Sequence, residues 1–201
     1  MMQSDSGVSS SVVLGARFEA ALVYASQLHR YQRRKLIGVP YIAHLMAVAA
    51  LVLEDGGSED EAIAALLHDA VEDQGGMETL GMIRQRFGDA VAELVSGCTQ
   101  PGFGVNLSWC DQKLGYLAQL RIAGSGVQRI ALADKLHNGR SLLGLLRVYG
   151  AEVWSQFSGR RQGTIWLYGK YVELFERVCS GWMVVELRQL TLALNQFSEE
   201  F

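Results

Sequence analysis

The chain has 201 residues, of which 49% are apolar and 19% charged, with 2 Pro and 22 Gly; this balance belongs to a globular protein and excludes a disordered one. A formal net charge of −3 without a long basic stripe gives no electrostatic reason for a nucleic acid polymer as partner. Cys98, Cys110 and Cys179 are far apart and lack C-x-x-C spacing, which excludes a disulfide framework and a thiolate zinc site and fits reduced residues of a cytoplasmic protein.

Residues 1–11 are polar and Ser-rich, without the basic start and apolar middle of a signal peptide, and read as a flexible segment before a single domain at 12–201. From Val12 to about Gln32, Leu14, Phe18, Ala21, Leu22, Ala25 and Leu28 recur at helical spacing. A basic run ending in Arg33-Arg34-Lys35 follows, and Gly38 and Pro40 break the pattern before a second helix from Tyr41 to Leu53. That apolar stretch is interrupted by His44 and is shorter than the ~18 residues a membrane span needs, so no membrane association is expected.

Ser58 and Glu61 are spaced as a capping box, which predicts one continuous helix from Ser58 to the Gly75-Gly76 pair. On it an apolar run, Ile63 to Leu67, ends in His68, Asp69, Glu72 and Asp73. Helical spacing stacks His68 over Glu72 and Asp69 over Asp73. Three carboxylates this close to an apolar run repel one another, and a divalent cation is the simplest offset.

Short helices are expected at Glu78 to Phe87 and Asp89 to Ser96, then a loop from Thr99 to Leu107. Ser108 is placed to cap a helix ending near Ile122, and a regular helix spans Val127 to about Val148. Within it, Ala131-Leu132-Ala133 delivers Asp134, an acid that needs a partner in such surroundings. Trp154, Phe157, Trp166, Tyr168, Tyr171 and Phe175 read as core of an all-α fold, and a last amphipathic helix runs from Trp182 to Phe197. Two imidazoles and two carboxylates on three helices suit manganese, iron or zinc better than calcium.

The order His44, His68-Asp69, Asp134 resembles the H…HD…D ligand set of the HD-domain metal-dependent phosphohydrolases. The words Pro40-Tyr41-Ile42-Ala43-His44, His68-Asp69-Ala70-Val71-Glu72-Asp73 and Ala133-Asp134-Lys135-Leu136-His137-Asn138 are similar to the (p)ppGpp hydrolase branch, which includes small alarmone hydrolases. The resemblance implies a compact helical bundle that removes the 3′-pyrophosphate of guanosine tetra- or pentaphosphate, typically with Mn2+ (Fe2+ or Zn2+ being alternatives).

It further implies His44, His68, Asp69 and Asp134 as metal ligands, and Glu72 and Asp73 as the pair that activates water. Arg34, Lys35 and Asn138 would contact the nucleotide, with Lys113 and Lys135 as further phosphate contacts. Lys135 directly follows a ligand, which makes it the weaker candidate of the two. His29 and His137 are left as structural or supporting residues. A toxic alarmone synthetase is a possible partner. Leu36-Ile37 departs from the branch, whose bacterial members often carry Gly-Thr there. An HD phosphohydrolase for another phosphorylated nucleotide, such as an adenosine alarmone, and a non-catalytic binding module remain the alternatives.

Overall fold

The computed structural model describes residues 12–101 and 107–199; the N-terminal segment 1–11 and most of the expected 99–107 loop lie outside the described residues. The chain is all-α. Helix α1 (Ala16–Leu28) starts four residues later than its apolar spacing suggests, after Gly15, whose N–H donates to Glu59 Oε1. Val12, Val13 and Leu14 remain exposed outside it.

An antiparallel bridge between Arg33 and Pro40 then closes a short loop, with Arg34 N donating to Val39 O and Tyr41 N to Gln32 O. No strand forms among the described residues. At the tip of this loop Leu36 adopts a left-handed conformation, φ 73°, which is unfavourable for an L-residue with a side chain. The Gly common at this place in the resembled branch would meet that demand without strain.

Helix α2 (Ile42–Glu54) is followed by α3 (Glu59–Leu67), whose capping box forms as the spacing predicts: Ser58 N donates to Glu61 Oε2 and Glu61 N to Ser58 Oγ. The predicted continuous helix does not form. It breaks at His68 and Asp69, and a separate turn, α4 (Ala70–Asp73), carries Glu72 and Asp73 before Gly75 (φ 108°) and Gly76 (φ 65°) end it. Helices α5 (Gly76–Phe87), α6 (Asp89–Cys98) and α7 (Trp109–Ile122) follow, the last capped by Ser108 as expected.

The longest element, α8 (Ser125–Tyr149), is the axis of the bundle. It packs against α2, α3, α6 and α7, and on its other side against α9 (Arg160–Val178) and α10 (Trp182–Glu199), which follow a 3-10 segment at Gly150–Gln156. Burial explains the arrangement: Ala62 to Leu67 of α3 and Ile130 to Asp134 of α8 are all buried, so each helix needs neighbours on several sides. Arg129 of α8 pairs with Asp55 at the end of α2 and with Glu61 in the α3 cap, fixing the three helices together. No helix among the described residues is long and apolar enough to cross a membrane.

Candidate functional site

His44 projects from α2, His68 from the end of α3 and Asp134 from the middle of α8, and they are 1%, 4% and 5% exposed. Each offers one ligand atom, and the three atoms lie within 4.8 Å of one another. Asp69 completes the group from the solvent side, its Oδ2 lying 3.1 Å from His68 Nε2 and 3.5 Å from His44 Nε2.

The hydrogen bonds around the imidazoles select the tautomer a metal ligand needs. His68 Nδ1 donates to Ala65 O at 2.7 Å, so in the neutral ring it is Nε2 that carries the free lone pair. His44 Nδ1 is 2.7 Å from His137 Nδ1. Burial, then the neighbouring His44 and Arg34, lower the His137 pKa to about 4, so its neutral ring can accept from His44. Both Nε2 atoms are buried without a hydrogen-bond partner, an expensive condition that a bound cation relieves.

The charges favour a cation at the same point. Burial alone would lower the His68 pKa, but the carboxylates of Asp69 and Asp134 outweigh it and hold the imidazole well above its ordinary value, so without a metal Nε2 keeps a proton that a bound cation displaces. Burial would raise Asp69 and Asp134, yet His68 holds the first, and Lys135 the second, well below the usual carboxylate range. An N2O2 donor set with two buried lone pairs and two ionised acids fits a divalent metal ion.

Asp134 is met by its own helix: Lys135 Nζ and Asn138 Nδ2 each approach one of its oxygens at 2.5 Å. Lys135 therefore does not point away. Its long stem folds back, and its ammonium also lies over the rings of Tyr116 and Tyr171 at 5.2 and 5.7 Å. Asp69 accepts a hydrogen bond from Tyr41 Oη at 2.6 Å.

The break at His68 and Asp69 separates the two remaining acids. Glu72 faces the end of α6, where Gln100 donates to Oε1 from its backbone N at 2.7 Å and to Oε2 from Nε2 at 2.9 Å. Asp73 faces the other way and accepts from Gln32 Nε2 at 2.8 Å. Gln32 is itself held by His29 and Gln74.

A cavity of about 460 Å³ opens beside the cluster, and Arg34, Lys35, Lys113, Lys135 and Asn138 all line it, together with Asp73. Arg34 donates to Asn138 Oδ1 at 2.9 Å and lies over the Tyr41 ring. Burial, then the like charge of Lys135, lower the Lys113 pKa; burial would lower Lys135 too, but the Asp134 carboxylate outweighs it and holds that ammonium well above its ordinary value. A smaller space of about 30 Å³, lined by His68, Asp69, Glu72, Gln100, Asp134 and Lys135, adjoins the ligands.

The far wall of the large cavity is aromatic. Trp109 lies in a slot left by Gly159 and Gly163, where an added Cβ would come within 2.6 and 3.1 Å of the indole. Phe157, Tyr168 and Tyr171, which the spacing assigns to the core, also form this wall. Spacing missed Tyr41, Gln32 and Gln100 altogether; only Tyr41 carried a signal, three residues before His44 on the same helical face.

The HD domain family description matches residues 21–165. The chain belongs to the HD-domain family. Within it, the chain is 36% identical over 130 residues to a Homo sapiens guanosine-3′,5′-bis(diphosphate) 3′-pyrophosphohydrolase, covering 63% of this chain and 70% of that protein. It is 38% identical over 125 residues to a probable enzyme of the same name from Synechocystis sp., covering 61% of this chain. The match covers only 16% of that longer bacterial protein. The solved structure of a metazoan orthologue of SpoT, reported to hydrolyse ppGpp and to play a role in starvation responses, has the same fold. Its TM-score is 0.74 at 27% identity, covering 89% of this HD-domain chain and 96% of that one.

Proposed function

We propose that this HD-domain protein is a metal-dependent hydrolase that removes the 3′-pyrophosphate of guanosine tetra- or pentaphosphate, giving GDP or GTP and pyrophosphate. The observation that carries the reading is the junction of a buried His44, His68 and Asp134 cluster, with the partly exposed Asp69 beside it, and a basic cavity of about 460 Å³, a size suited to a small molecule. Relatives named for this reaction support the choice of substrate.

In this reading His44, His68, Asp69 and Asp134 hold one divalent ion, with Mn2+ proposed and Fe2+ or Zn2+ compatible with the donors. When bound, the ion supplies Lewis acidity toward a phosphoryl oxygen and acidifies water. Glu72 and Asp73 are the pair that positions the attacking water and takes its proton, Glu72 as the acceptor and Asp73 as the positioning acid, each held by a neutral amide that orients it without cancelling its charge. Lys113 and Lys135 offer point charges to the phosphates, and Arg34 offers a planar fork or a stacking surface. Asn138 positions Arg34 and Asp134 relative to each other.

The test is incubation of the manganese-loaded protein with ppGpp and resolution of the products by anion exchange, beside an Asp69→Ala control. Formation of GDP and pyrophosphate, absent in the control, is the expected result. No turnover with any divalent metal would overturn it, and turnover confined to an adenosine alarmone would keep the chemistry and change the substrate.

A further inference from the structure

We propose that Gln100 is a positioning residue of this reaction, acting as a spacer between the phosphate-facing Lys113 and the proton-accepting Glu72; the inference rests on the hydrolase reading above. Gln100 Oε1 accepts from Lys113 Nζ at 2.7 Å, while its Nε2 and backbone N bind both oxygens of Glu72. Lys113 lines the large cavity and Glu72 the small one, so Gln100 stands in the wall between them.

Its place is built rather than incidental. Gln100 follows the end of α6, where orphan carbonyls need partners, and Gln119 of α7 supplies them by donating to Gly97 O at 2.7 Å and Thr99 O at 3.0 Å. The same helix carries Lys113, so α7 fixes both the Gln100 backbone and the ammonium that Gln100 accepts from. A glutamine side chain presents an acceptor and a donor at a fixed separation, which lets it serve a cation and an anion at once. Without it, Lys113 and Glu72 would attract each other directly. An ion pair there would take the positive charge from the phosphates and make Glu72 a poorer proton acceptor. Gln100 keeps the two groups apart and both available.

Steady-state kinetics with ppGpp and Mn2+ test this. Gln100→Ala is expected to lower kcat by about tenfold to a hundredfold through misplacement of Glu72, and to raise KM. Gln100→Glu keeps the acceptor for Lys113 but sets an oxygen against Glu72. It should lose kcat at least as severely and also raise KM, because the new carboxylate pairs with Lys113 and takes its charge from the phosphates. In Lys113→Ala the ammonium is gone, so adding Gln100→Ala should reduce kcat by a smaller factor than it does in wild type.

A purely structural role predicts otherwise: lowered Tm, unchanged kcat per folded molecule and additive effects. That result, or a Gln100→Ala kcat within about twofold of wild type, would overturn the proposal. An inactive wild-type protein would instead overturn the hydrolase reading itself, so the two failures are distinct.

Discussion

The two helical regions that deliver aspartates to the centre begin alike, with a short run of Ala, Leu and Ile, and then diverge. Helix α8 passes through Asp134 without interruption for 25 residues, whereas α3 stops at Leu67 and His68 and Asp69 stand in a turn before α4. The difference follows from the number of charges each must place. Asp134 is one acid, and residues one position and one turn away on its own helix satisfy it. The other region carries an imidazole and three acids, which an unbroken helix would stack on adjoining faces. Around the turn His68 and Asp69 face the cluster, Glu72 faces Gln100 after α6 and Asp73 faces Gln32.

This contrast is sharpest in stability. Asp134→Ala should destabilise the metal-free protein by about 3 kcal/mol, because the largely covered Lys135 ammonium loses its carboxylate. Asp69→Ala removes a partly exposed acid and leaves Tyr41 Oη without its acceptor, for a loss nearer 1–2 kcal/mol. Urea denaturation of the two variants checks the order; equal losses would mean that the unbroken helix does not neutralise its own acid. Both variants should be inactive.

Glu72→Gln and Asp73→Asn should each lower kcat by about 10²–10⁴-fold while the fold and metal content are kept, measured by steady-state rates and bound-metal analysis. Full turnover in either would remove that residue from the mechanism. His137→Phe takes away the acceptor for His44 Nδ1 and should weaken metal binding by about 10–100-fold in a calorimetric titration. The smallest effect is expected at the cavity rim, where Leu36→Gly relieves a left-handed backbone and should stabilise by about 1 kcal/mol or less in a thermal melt.

Much of the bundle was legible because its signals are local. The Ser58 cap, the Gly75-Gly76 stop and the Ser108 cap each depend on residues within a few positions. The cluster was legible because an acid after an apolar run requires a partner, and the order of His44, His68-Asp69 and Asp134 matched a known word. The helix break was not legible, since the apolar spacing runs on through Leu67 and the reason to stop is the set of partners in other helices. Gln32 and Gln100 carry no spacing signature: a neutral amide looks the same on a surface and in a site. Lys135 read as a weaker candidate because successive residues on a helix point about 100° apart, and the reach of a lysine stem, which brings its ammonium to Asp134, is not part of that geometry.

The proposed reaction needs one bound ion together with Glu72 and Asp73. Its most direct test is to titrate Mn2+ into the metal-free protein while measuring bound metal and ppGpp turnover on the same samples. Turnover is expected to rise in proportion to occupancy and to stop rising at one ion per chain, and Glu72→Gln to bind the same single ion with turnover reduced by about 10²-fold or more. Turnover of wild type that persists at full rate after the metal has been chelated would contradict it.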